Sequence, residues 1–154
     1  MEKERVIQAI ESAIRSHEDR LKASRLMVFG MQFDEEEGGG SETSCEFGSW
    51  LYGHYEWLSG FFGARQISEI EKLHKLWHEE NRKIHAIYAS KKGKGFLGKL
   101  LGSGKVTEGD MDKAKAYYAE LKIISEQLLH RMQVLLTRAK SFPASDYEAK
   151  EKKE

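Results

Sequence analysis

Two histidines four residues apart, in "LHKLWH", open the question of what this chain can bind. On a helix, His74 and His78 share one face with Cβ atoms about 5–6 Å apart. Imidazoles so placed can both reach one zinc ion at about 2.0–2.1 Å. Ordinary surface or half-buried helix histidines have the same spacing, so the pair alone decides nothing. His17 falls on the apolar side of an earlier helical pattern, where an unpartnered imidazole is costly to bury. By itself it also reads as a satisfied core histidine. The only cysteine, Cys45 in "CEFGSW", follows a capping sequence and falls in the first turn of a short helix. Aligned peptide dipoles there favour thiolate, the form that ligates metal. The order His17, Cys45, His74, His78 leaves gaps of 28, 29 and 4 residues. Three segments can therefore contribute, and three imidazoles with one thiolate complete a tetrahedral zinc set.

The elements that must position these residues are helical. Val6, Ile10, Ile14, His17, Leu21 and Val28 repeat at helical spacing, which predicts a helix over 2–29. "DEEEGGGSETS" reads as a loop. "TSCE" then has the form of a capping box, with Thr43 as cap and Glu46 three residues on, before a short helix over about 44–53. "GHYEWLSGFFG" reads as a connector. A second long helix is predicted over 65–90, with Ile67, Ile70, Leu73, His74, Trp77, His78, Ile84 and Tyr88 on its apolar face. A third is predicted over 108–140, lined by Met111, Ala114, Tyr118, Leu121, Ile124, Leu128, Met132 and Leu135. The pattern implies an all-α fold, an antiparallel four-helix bundle of three long helices and one short helix carrying Cys45. The expected domain is 1–142, with 143–154 a charged, frayed tail after Pro143.

The 154 residues suit one domain with a real core. Lysine plus arginine equal aspartate plus glutamate at 25 each, so no basic excess invites nucleic acid. One cysteine excludes an intrachain disulfide. The amino terminus is charged from its second residue, unlike a signal peptide, and no run of about 18 apolar residues exists. The expectation is a soluble cytoplasmic protein. Residues 91–105 hold five lysines, no acid, and Phe96, Leu97, Leu100 and Leu101. If helical, that segment suits an anionic membrane surface or an acidic partner; the plainer reading is an inter-helix loop.

With its motifs in view, the chain resembles the chemoreceptor zinc-binding (CZB) family. That family carries a histidine in the first helix, a Cys-x-Phe/Leu-Gly-x-Trp-Leu run, and a His-x-x-x-His pair. Here these are His17 in "AIRSHEDRL", Cys45 in "CEFGSWLYG", and His74 and His78 in "LHKLWHEENRKIH", and the resemblance extends over residues 6–137. Arg20 stands where many members have tryptophan. The resemblance implies a His3Cys zinc site made by His17, Cys45, His74 and His78. It also implies a homodimer and a bacterial signalling role driven by zinc or by oxidation of Cys45. Members usually accompany a chemotaxis or nucleotide cyclase domain; neither is legible in these residues, so a stand-alone member is expected. Gly48 is expected to allow a close helix approach, and Trp50 to wedge the short helix against the long ones.

His85, seven residues beyond His78, is a candidate outer-shell group. His54 and His130 read as loop and surface residues. A hydrolytic zinc site needs an open position and a base; Lys75 stands where the H-E-x-x-H motif has glutamate, and Cys45 fills the fourth position. No enzyme is expected. The alternative is a membrane- or partner-binding adaptor with a purely structural zinc.

Overall fold

A computed structural model describes residues 1–30, 41–89 and 106–151. The acidic, glycine-rich stretch at 31–40 and the basic segment 91–105, with its membrane reading, lie outside the described residues. Those residues are 88% helical, with no strand among them. The helices are α1 (Lys3–Val28), α2 (Glu46–Gly53), α3 (Tyr55–Phe62), α4 (Ala64–Ala89), α5 (Glu108–Ser141) and α6 (Ala144–Glu151). No described helix is long and apolar enough to cross a membrane.

The apolar repeats make the core. Val6, Ile10 and Val28 of α1, Ile67, Ile70, Trp77 and Ile84 of α4, and Leu121, Leu128 and Met132 of α5 are fully buried. Ile14, Leu21, Leu73, Tyr88, Tyr118 and Ile124 are partly buried at its margin. Helix directions follow from the pairs that meet. Ser24 donates to Asn81 Oδ1 at 2.6 Å, and each lies seven residues beyond His17 and His74, so α1 and α4 run parallel. Lys3 donates to the carbonyls of Lys140 and Phe142 at one end of α1, while Phe29 meets Tyr118 at the other. Helix α5 is therefore antiparallel to α1. The bundle is up-down-up-down, with α2 and α3 together as its second arm.

Two expectations change here. The "GHYEWLSGFFG" connector contains a helix. Trp57, Leu58 and Phe62 of α3 are buried, a helical grouping that the flanking glycines obscure. Only His54 breaks it from α2, and Gly63, at φ 103°, makes the turn into α4 that a side chain would resist. The second correction concerns 143–154. A frayed tail was expected, yet Ala144–Glu151 is helical because one aromatic anchors it. Tyr147 is buried, its hydroxyl donates to Ala139 O at 2.9 Å, and its ring lies 4.5 Å from Phe61 and 6.0 Å from Trp57. Tyr147→Ala is expected to lower stability in urea unfolding by about 2 kcal/mol, since a short terminal helix releases rather than leaving an enclosed cavity.

Candidate metal centre

Each donor is placed by a different local cause. His17 sits on the core stripe of α1 and is 1% exposed. Its Nδ1–H donates to Ala13 O, one turn back, at 2.8 Å. That bond fixes the ring and leaves Nε2 with its lone pair turned to the cluster. His74 and His78 are fully buried one turn apart on α4, as their spacing predicts. Cys45 arrives from α2 and is 4% exposed.

The cap of α2 differs from the expected one. Cys45 itself is the N-cap, its Sγ accepting from Gly48 N–H at 3.1 Å. The Thr43 hydroxyl bonds Ser41 instead. The segment before the cap is clamped by Arg82, which donates to Glu42 at 3.0 Å, and Cys45 S–H donates to Glu42 O at 3.6 Å. Gly48 is where α2 backs onto this segment. A Cβ there would overlap the Glu42 carbonyl and come within 3.2 Å of His74 Cε1. The close approach expected of Gly48 is thus real, and its partners are Glu42 and His74.

One ligand atom from each of His17, Cys45, His74 and His78 lies within 4.8 Å of the other three. His74 Nε2 is 3.2 Å from Cys45 Sγ and 3.1 Å from His78 Nε2. A tetrahedral ion with bonds of about 2.0–2.3 Å has ligand–ligand edges of about 3.3–3.6 Å, and these two pairs stand close to that spacing. Among the described residues, His17 Nε2 and His74 Nδ1 are buried with no hydrogen-bond partner. Phe47 and Trp77 wall the cluster with apolar rings. Phe47 is 5.1 Å from His74, and Trp77 is 4.9 Å from His17 and 5.0 Å from His78. Trp77 is held in turn by donating to Ser125 Oγ at 2.7 Å.

The electrostatics favour neutral donors. Burial pushes His17 down to about 4, against the opposing bond to Ala13. Burial, then the neighbouring His17 and His78, pushes His74 down to about 2. Both imidazoles are the neutral, ligating form near neutral pH. Cys45 corrects the sequence reading. Burial raises its thiol above the ordinary value and outweighs the Gly48 N–H and the Arg20 charge. The helix terminus does not by itself favour thiolate here; a bound cation is what reverses that balance.

The remaining histidines lie apart from the cluster. His54 and His130 are exposed, and His85 is half-buried on α4. Sequence reading missed three supports: the Ala13 carbonyl, the Glu42–Arg82 clamp and the Trp77–Ser125 bond. Only the first carries a sequence signal, since a helical residue always has a carbonyl one turn back.

Fold and site define an all-α bundle with a buried His3Cys group that can hold a metal ion. No family model, curated protein or solved structure matches the chain.

Proposed function

We propose that the chain is a zinc-binding regulatory domain whose state depends on the ion and on the oxidation state of Cys45. The observation that carries this is the meeting of four buried donors from three chain segments, in numbers and kinds suited to zinc. His17 Nε2 is buried with no hydrogen-bond partner, a cost that an ion bound there would remove. His17, His74 and His78 would supply nitrogen and Cys45 sulfur. The ion would supply charge and fixed geometry, tying α1, α2 and α4 together. Four protein donors close the coordination shell, and Lys75 follows His74, so the reading is of a non-enzymatic domain. Membership of the CZB-like class belongs to this reading, supported by the same four residues. A homodimer does too, supported by exposed Ile123 and Val134, which are eleven residues apart on one face of α5.

Cys45 is the one readily oxidised donor of the four. With hypochlorous acid, its sulfur loses two electrons and gains the oxygen, and chlorine leaves as chloride. The sulfenic acid is a poorer ligand, and its sulfur no longer caps Gly48. The amino end of α2 is then the element that moves. The test treats zinc-loaded protein with hypochlorous acid while a chromogenic chelator reports free zinc and mass spectrometry follows Cys45. Zinc release in step with addition of one oxygen to Cys45 is expected. Oxidation of Cys45 with zinc retained would leave the ion purely structural.

A further inference from the structure

The donors are 0–4% exposed, so an ion needs a way in. The Trp77 side is sealed: that residue is fully buried and fixed by its bond to Ser125. The Gly48 side is filled by Glu42 and His74. Between α1 and α2 the packing is different. A cavity of about 80 Å³ lies there, lined by Ser12, Ala13 and Ser16 of α1 and by Glu46, Phe47 and Trp50 of α2. That is room for a few water molecules. Of its lining residues, Ser12, Ser16 and Glu46 carry side-chain oxygens, hard donors of the kind that suits a partly hydrated cation in passage. The buried residues of its lining are Ala13, whose carbonyl holds His17, and Phe47. The Phe47 ring stands edge-on to His17 at 6.0 Å and to His74 at 5.1 Å. The same ring thus borders both this cavity and two of the donors.

We propose that this cavity is the route by which a divalent metal ion enters and leaves the cluster, with Phe47 as its inner gate. The proposal rests on the reading that the cluster binds zinc. Rotation of Phe47 moves one side chain. Opening the cluster by lifting α2 would instead carry Cys45 away from His74 and part the Glu42–Gly48 contact. A gate and a mere packing residue differ in kinetics. A gate lies on the path in both directions, so removing it speeds entry and exit alike and leaves affinity nearly unchanged. A packing residue stabilises only the bound state, so removing it speeds exit alone.

The experiment is stopped-flow uptake and release of zinc ions by the full chain, read with a chromogenic chelator, in the parent, Phe47→Ala and Ser16→Leu. Phe47→Ala is expected to raise both rates about tenfold or more with affinity within about threefold, the signature of a gate. Ser16→Leu, which fills the cavity, is expected to slow both. Faster release with unchanged uptake and matching loss of affinity in Phe47→Ala would overturn the proposal, as would parental rates in Ser16→Leu. Should Phe47→Ala not fold, Phe47→Leu with Ser16→Leu gives the same comparison. A parent that takes up no zinc overturns the underlying reading as well; a parent that binds zinc, with both variants at parental rates, overturns the route alone.

Discussion

Gly48→Ala is expected to destabilise the protein by about 3 kcal/mol, at the upper end of the cost of overpacking. Intrinsic preference points the other way, since alanine is favoured over glycine inside a helix by about 1 kcal/mol. Geometry decides. The new methyl would overlap the Glu42 carbonyl, and backbone cannot rotate aside as a side chain can. Either residues 42–45 retreat, breaking the Glu42–Arg82 clamp, or α2 tilts and carries Cys45 away from His74. Both also loosen the metal site, so zinc affinity falls together with stability. For a chain of this length the midpoint of thermal unfolding drops by about 6–12 °C. Gly53→Ala, five residues on in the same helix, is the control. Nothing lies within 4 Å of a Cβ there, so it is expected to be neutral or slightly stabilising. Equal effects at the two glycines would contradict the packing described for α2.

Cys45→Ser is expected to separate folding from metal binding. Serine is a good N-cap, so its oxygen keeps the bond from Gly48 N–H and the metal-free fold survives. It is a poor zinc ligand. A structural zinc site is worth about 10–16 kcal/mol, so one of four ligands carries about 3–4 kcal/mol, or about 10²–10³-fold in affinity. In the parent, free zinc at a thousand times its dissociation constant adds about 4.1 kcal/mol and raises the unfolding midpoint by about 8–16 °C. Under the same zinc concentration Cys45→Ser is expected to show little of this rise. Both proteins should remain largely helical in chelator, because the core that contains Ile10, Ile70, Leu121 and Leu128 extends well beyond the four donors. Circular dichroism melts with and without zinc measure both effects; a parent that loses its helices in chelator would show that metal creates the fold.

The contrast between what was and was not legible in the sequence is physical. The three long helices were readable because each carries its apolar residues at 3.6-residue spacing for many turns. His74 and His78 were readable as a pair because helical geometry fixes neighbours four apart. His17 and Cys45 could be joined to them only through motif and spacing, since convergence of distant segments is a tertiary property. Helix α3 was hidden by Gly53, Gly60 and Gly63, whose local preference competes with the burial of Trp57 and Phe62. Helix α6 was hidden by its charge, since Tyr147 is the only buried residue among 144–149. The capping rule was applied at Thr43, where the chain uses Cys45. It holds at Thr107, whose hydroxyl accepts from Asp110 N–H while Asp110 accepts from Thr107 N–H. The balance of forces on the Cys45 thiol depends on burial, which the local helix-terminus argument does not contain.

His17, Cys45, His74 and His78 are expected to hold one zinc ion jointly. Native mass spectrometry of the protein purified without added metal, alongside His17→Ala and His85→Ala, tests it directly. One zinc per chain is expected in the parent and in His85→Ala, with the ion lost from His17→Ala. A parent with no zinc and no affinity for it in chelator competition would contradict the account, as would a His17→Ala protein that keeps its zinc as tightly as the parent.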